Sequence, residues 1–388
     1  MPGICVAALG AAFALLNYAF DEISNPALRL RRLDRPIDGA RGEPAPPDAS
    51  LRPDRILQVR WLTVAYASDD GPVVAVDDVD LDVGRGEFLG IVGESGCGKS
   101  TLLYAITRLL GPPFAGQIMS GEVLFQGRDL VALTERQLRH VRWREFSVVM
   151  QSAMNALNPV LSIRAQLRDA CKAHSNLSAK EIEDRSKEVL RLVSIDPVHL
   201  DSYPHQLSGG MRQRAMIAMA LLFTPDLIIM DEPTSALDVV AQRSLMVQIK
   251  ELQKKLGFAV VFVTHDMSLV SHFSDRVLVM YAAQVAEFGE TRQIFERPRH
   301  PYTRALLDAF PSIHGPKVHL AGIPGSPPDL ARLPSGCRFA PRCPHVMPRC
   351  TAAVPPLYDL DRELVRCVLY EKGEAPEGAL ATASQGAG

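Results

Sequence analysis

The sequence predicts an α/β protein with a mainly parallel core sheet, a β-rich flap ahead of it, a helical insert within it and a cysteine-bearing extension after it. Three observations carry this. The glycine-rich stretch GESGCGKST, Gly93 to Thr101, lies directly between an apolar strand and a helical pattern. Two further apolar runs, LIIM before Asp231 and AVVFVT before His265, flank another helical pattern, the order expected of parallel strands joined by crossovers. Between Met150 and Gln213 the apolar period turns helical.

The elements follow in order. Residues 1–20 are apolar with no basic residue ahead of them, whereas Arg29, Arg31, Arg32 and Arg35 follow. A secretory signal needs a basic start, so this stretch reads either as a short anchor with everything downstream in the cytoplasm, or as sequence the working protein does not need. Residues 21–50 grade into RGEPAPPDASLRPD, a flexible linker, and the folded body spans 51–310. The runs ILQVRWLTVAY, VVAVDDVDLDV and EFLGIVG predict strands, and Lys99 to about Leu110 a helix. The helical insert covers about 151–219. Within it SAKEIEDRSKEVLRLV opens on a capping box, Ser178 to Glu181, and sets Ile182, Val189 and Val193 on one face. The helix AQRSLMVQIKELQKKL stops at Gly257. A Pro-rich extension, 311–370, holds four cysteines, and 371–388 is too polar and small to build a core.

A chain of 388 residues, 47% hydrophobic, can bury a large core, and a formal charge of −2 argues against a general nucleic-acid partner. Of seven cysteines, Cys5, Cys97 and Cys171 are scattered, whereas Cys337, Cys343, Cys350 and Cys367 cluster. An odd total in a reducing setting points to a metal or cluster site rather than to disulfides.

The glycine-rich loop implies phosphate chemistry. Gly93, Gly96 and Gly98 let backbone N–H groups close on phosphates, together with Glu94, Ser95, Cys97 and Thr101 of the same turn. Lys99 reaches the outer phosphate oxygens of ATP, and the Ser100 hydroxyl is a Mg²⁺ ligand. Asp231 and Glu232 emerge together at a strand's carboxyl end, an expensive pairing without a cation. Asp231 is assigned to Mg²⁺ and Glu232 to general-base activation of water.

The stretch LSGGMRQR, Leu207 to Arg214, ending seventeen positions before Asp231 of that acidic pair, resembles the signature motif of ATP-binding-cassette (ABC) ATPases. The resemblance implies an ABC-type P-loop NTPase: a RecA-like core with an antiparallel β subdomain and a helical subdomain. It implies that Ser208, Gly209 and Gly210 act on a nucleotide held by a second ATPase subunit, itself a copy or a paralogue, and that Asp238 in SALD also crosses that dimer. By the same resemblance Tyr66 stacks on adenine, Gln151 senses Mg²⁺ and water, and His265 contacts the γ-phosphate. The stretches ALNP, HPYTRALLDAFP, GIPGSPPDL and GCRFAPRC resemble the peptide/nickel branch of importer ATPases, over about residues 55–370, and LNYAFDEISNPALRLRR resembles the end of a permease helix. The branch usually has Gly where Ala283 stands, which puts that turn's geometry in question. The implied function is ATP hydrolysis driving import of short peptides, with two permease subunits and an extracytoplasmic binding protein, at the cytoplasmic face of the inner membrane. Nickel or haem import, and a soluble ATPase acting as a mechanical switch on nucleic acid or the ribosome, are the alternatives.

The four clustered cysteines are spaced C-x5-C-x6-C-x16-C, wider than the paired spacing usual for zinc. The branch resemblance implies a 4Fe-4S cluster in this tail, with zinc as the alternative and free, packed or paired thiols as the plainest reading.

Overall fold

The computed structural model describes residues 54–68, 71–111, 116–150, 156–235, 237–309, 322–360 and 363–371. Residues 1–53 and 372–388 and the expected sensor Gln151 lie outside them.

The flap is a four-stranded antiparallel sheet. β1 (Arg55–Tyr66) pairs with β2 (Val73–Gly84) on one side and β4 (Gly116–Phe125) on the other, and short β5 (Arg128–Asp129) completes the order β2-β1-β4-β5. Between its strands the chain enters the core through β3 (Phe88–Val92), the phosphate loop and α1 (Lys99–Ile106). α2 (Glu135–Val141) and β6 (Phe146–Val149) follow, then the helical insert with α3 (Ile163–His174), α4 (Ala179–Leu192) and α5 (Gly209–Ala220). β7 (Leu227–Asp231), α6 (Val239–Leu256), β8 (Ala259–Val263), α7 (Met267–Phe273), β9 (Arg276–Tyr281) and β10 (Gln284–Glu290) complete the body.

Strands β3, β7 and β8 are buried at every position, as continuous apolar runs must be when a parallel sheet is covered on both faces. Their side chains divide by alternation. Phe88, Met230, Val260 and Phe262 face the helical insert and α6, while Leu89, Ile91, Ile229 and Val261 face the flap and α1. β9, β3, β8, β7 and β6 run parallel, so the phosphate loop after β3 and the acidic pair after β7 emerge from one edge of the sheet.

The capping box of α4 forms as expected, with Glu181 Oε2 accepting from the Ser178 N–H at 2.7 Å. Two boundaries differ. α1 ends at Ile106 rather than near Leu110, because Arg108 is left-handed at φ 58° and the Arg142 guanidinium takes the freed carbonyls of Thr107 and Arg108 at 3.2 and 2.6 Å. α6 begins at Val239, earlier than its apolar pattern, because Asp238 caps it; Val239 and Val240 point into solvent and leave no periodic trace.

The extension is not an appended bead. After α8 (Thr291–Glu296) and α9 (Pro301–Asp308), and the short α10 (Pro348–Ala352), it contributes β11 (Tyr358–Leu360) and β12 (Glu363–Val365). β12 pairs antiparallel with β10, which lengthens the core sheet to eight strands. Phe339 of the extension packs on Tyr281 and Tyr302, ring centroids 5.2 and 5.5 Å away.

Candidate functional site: a phosphate cavity at the sheet edge

Positive φ values at Gly93 (149°), Gly96 (78°) and Gly98 (104°) shape the loop before α1. A Cβ on Gly98 would strike the carbonyl of Ala75, and one on Gly93 that of Met280, so neither position admits a side chain. The Lys99 ammonium donates to the carbonyl oxygens of Gly93 and Glu94 at 2.8 and 2.9 Å, poised over the turn it follows. A cavity of about 450 Å³ opens beside the loop, lined by Ser95, Gly96, Gly98, Lys99, Ser100, Thr101, Tyr66 and Glu232. That volume suits a nucleotide-sized ligand. Tyr66, at the end of β1, shares a 3.0 Å hydrogen bond between its hydroxyl and Thr101 Oγ1. Glu94 and Cys97 belong to the loop but do not line this cavity. The Cys97 thiol is buried, and burial pushes its pKa up against the pull of Lys99.

Asp231, the last residue of β7, is buried and accepts from the Ser100 hydroxyl at 3.3 Å and from the Tyr104 hydroxyl at 3.5 Å. Burial raises its pKa, the Glu232 charge adds to the rise, and the Ser100 bond opposes it. A buried carboxylate facing a hydroxyl beside this cavity offers the oxygen donors that a hard cation takes. Glu232 stands at φ 45°, a left-handed turn fixed by its N–H donating to the Val263 carbonyl at 3.0 Å. That turn places its carboxylate on the cavity wall, with Oε1 3.3 Å from His265 Nδ1.

Ser208 caps α5, its hydroxyl accepting from the Met211 N–H at 3.2 Å, and it is exposed. Asp238 is likewise exposed and caps α6, accepting from the Ala241 N–H at 2.9 Å. Ser208, Gly209, Gly210 and Asp238 therefore lie outside the phosphate cavity of their own chain. A Cβ on Gly210 would meet open space, so the α5 tip faces outward unobstructed.

The family model described as ABC transporter matches residues 76–235, and the one described as oligopeptide/dipeptide transporter, C-terminal region, matches residues 286–350. The chain is 42% identical over 321 residues to the dipeptide transport ATP-binding protein DppD of Caldanaerobacter subterraneus subsp. tengcongensis, covering 82% of this chain and 98% of that protein. It belongs to the dipeptide and oligopeptide branch of ABC-transporter ATP-binding proteins. The oligopeptide transport ATP-binding protein OppD of Escherichia coli is 42% identical over 311 residues, covering 80% of this chain and 91% of that one. Among solved structures, a dimeric ABC cassette in a post-hydrolysis state bound to ADP and Pi superposes with a TM-score of 0.54 at 29% identity, covering 61% of this chain and 99% of that one. This ABC ATPase has the P-loop fold expected of it, and it is an ATP-hydrolysing enzyme.

Sequence reasoning missed several contacts of this site. Gln213 on α5 donates its amide to the Pro233 carbonyl, tying the signature helix to the turn after Glu232. Leu330, from the extension, lines the phosphate cavity. Tyr302 takes the Glu94 N–H at 2.9 Å, and Arg342 takes the Glu94 carboxylate at 2.6 and 3.0 Å. None has a local signal, because each partner lies far away in sequence.

The turn around Ala283 is left-handed at both Ala282 (φ 43°) and Ala283 (φ 71°), so the alanine standing where the branch has glycine occupies backbone that favours glycine. Neighbours hold it there: Ala283 N–H donates to the Cys97 carbonyl at 2.9 Å and its carbonyl accepts from Asp77 N–H at 2.8 Å.

Cys337, Cys343, Cys350 and Cys367 all line one apolar cavity with His300, His345 and Met347. All four are free thiols. Burial pushes Cys343 up to about 11 and Cys367 up to about 12. Among the described residues no group of three or more His, Cys, Asp or Glu is arranged to hold a metal ion. The convergence expected of the four cysteines is therefore present, and a ligation geometry is not.

Proposed function

We propose that this ATPase energises import of short peptides through a pair of membrane permeases, working as a dimer of cassettes at the cytoplasmic face of the cell membrane. The carrying observation is its similarity to dipeptide and oligopeptide transport ATP-binding proteins, which extends through the C-terminal region as well as the cassette. No helix among the described residues is long and apolar enough to cross a membrane; in this reading the permeases supply the path.

The cavity residues divide the work. Backbone N–H groups of the loop and the Lys99 ammonium hold the phosphates, and Tyr66 at the rim offers a ring for adenine. Ser100 and Asp231 fit Mg²⁺, which would neutralise phosphate charge, and the family resemblance assigns Gln151 to the same ion. Glu232 accepts the proton of the attacking water, and His265, hydrogen-bonded to it, senses the terminal phosphate. The tip of α5, with exposed Ser208 and half-buried Gly209 and Gly210, and the exposed Asp238 lie outside the phosphate cavity of their own chain. Pairing two chains head to tail brings each tip to the other's cavity, which supports the dimeric reading. A binding protein outside the membrane delivers cargo that never touches this chain.

Residues 51–310 form the ATPase body and 311–370 the extension. For the four cysteines we propose a metal-thiolate site, a 4Fe-4S cluster or zinc. Supporting it, the four thiols share one cavity and the Cys350 sulfur accepts the Met347 backbone N–H at 3.4 Å, the polarity that stabilises a thiolate ligand. Iron, sulfide and zinc analysis of anaerobically purified protein decides between them, and thiols that remain titratable with no metal refute both.

The main reading is tested by reconstituting the purified complex in proteoliposomes. Uptake of a labelled dipeptide that requires ATP and the binding protein is expected. Uptake of nickel or haem instead, or ATPase activity indifferent to the permeases, overturns the peptide assignment.

A further inference from the structure

We infer that Arg342, in the C-terminal extension, is a positioning residue for the phosphate loop: it withdraws the Glu94 carboxylate from Lys99 and makes nucleotide affinity depend on the docked extension. This rests on the reading of the loop cavity as the ATP site.

Glu94 is the first residue of the loop after Gly93, and its backbone carbonyl already touches the Lys99 ammonium at 2.9 Å. Its side chain turns away from the cavity and forms a two-point ion pair with Arg342, at 2.6 and 3.0 Å. The Arg342 side chain is 4% exposed and its remaining donors are all used. Nε donates to the Pro324 carbonyl at 2.8 Å, and Nη1 to the Tyr281 hydroxyl at 3.2 Å. Longer bonds reach the Ile323 and Gly325 carbonyls at 3.3 and 3.4 Å. One end of the guanidinium is thus built into the extension and the other closes on the loop, the geometry for which arginine rather than lysine is suited.

The backbone of Glu94 is held from the same side. Its N–H donates to the hydroxyl of Tyr302, whose ring packs on Tyr281 at 4.5 Å and on Phe339 of the extension at 5.5 Å. A second arginine, Arg338, bonds the Ala282 carbonyl and Asp77, fixing the turn whose Ala283 N–H bonds the loop carbonyl of Cys97. Without Arg342 the freed Glu94 carboxylate is a close anion for Lys99. It would compete with the phosphates for that ammonium and repel them. A charge of one sign released some 8 Å from the phosphates at an effective dielectric near 20 weakens binding by about tenfold to thirtyfold.

The experiment uses the full chain and a fluorescent ATP analogue, with ATPase kinetics in parallel. Arg342→Gln is expected to raise Kd and KM by about tenfold or more while changing kcat by less than about threefold. Adding Glu94→Gln to that variant is expected to recover most of the loss, because the offending charge is gone. A double variant as weak as Arg342→Gln, or an Arg342→Gln variant that binds as the wild type does, overturns the inference. If Arg342→Gln fails to fold by itself, recovery of a folded, ATP-binding double variant is the expected rescue, and a double variant that also stays unfolded overturns it. Failure of the wild-type chain to bind the analogue would instead strike the nucleotide-site reading.

Discussion

Glu232→Gln separates binding from chemistry at this site. The amide replaces the carboxylate without changing its shape. The backbone bond from Glu232 N–H to the Val263 carbonyl, which sets the left-handed turn, does not involve the side chain, and the amide oxygen can still face His265 Nδ1 at 3.3 Å. Folding and the cavity should survive. What disappears is a proton acceptor, worth about 10²–10⁴ in rate, or roughly 3–5 kcal/mol of barrier. One negative charge also leaves a wall that must receive phosphates. At an effective dielectric near 20 and a separation of about 8–16 Å, that charge opposes binding by roughly 1–2 kcal/mol. ATP affinity should therefore rise by about fivefold to thirtyfold while turnover falls at least a hundredfold. Equilibrium binding of a fluorescent analogue and single-turnover hydrolysis measure the two effects. Hydrolysis within threefold of wild type would refute the base assignment, and lost affinity would refute the electrostatic account.

Three further outcomes follow from the same geometry. Gly98→Ala forces a Cβ onto the Ala75 carbonyl at φ 104°, so it should cost at least about 2 kcal/mol and weaken ATP binding at least tenfold, read by melting and titration. Ser178→Ala removes one half of the α4 capping box and should destabilise that helix by about 1 kcal/mol, visible as faster amide exchange over 179–192 with ATP affinity unchanged. Glu287 is fully buried against Glu363, which pairs with Arg299 at 2.7 Å, and its carboxylate accepts N–H bonds from Arg299 and His300. Burial first, then the Glu363 contact, push its pKa from the ordinary 4.5 up to about 8. A raised pKa means the folded state binds the proton more tightly. Its stabilisation is complete below about pH 4.5 and lost as pH climbs through 8, by at most about 5 kcal/mol. Melting temperature should fall across that interval, and Glu287→Gln should flatten the slope; an unchanged slope in the variant would remove Glu287 as the cause.

The chemistry was legible in the sequence because it is local. A loop of nine residues carries its own glycines and its own lysine, and LIIM drives the next two carboxylates to a sheet edge. The signature serine was recognisable by the resemblance of LSGGMRQR to a family motif, which is likewise a local pattern. Arg342 and Glu94 were not legible as partners. An arginine among cysteines and a glutamate in a phosphate loop each have a plain local reading, and only a chain reversal of 248 positions joins them. The end of α1 was not legible for the same reason, since Arg142 decides where it stops from outside it.

By itself the sequence determined which residues alternate, cap and turn, since periodicity and spacing act through bonds a few residues long. Tertiary structure alone decided that the extension is woven into the core sheet and grips the loop from behind. It also decided that the four clustered cysteines share one cavity, and that the signature tip faces away from its own phosphate site. Those facts depend on packing between surfaces far apart in the chain, where no short-range preference records which surface will meet which.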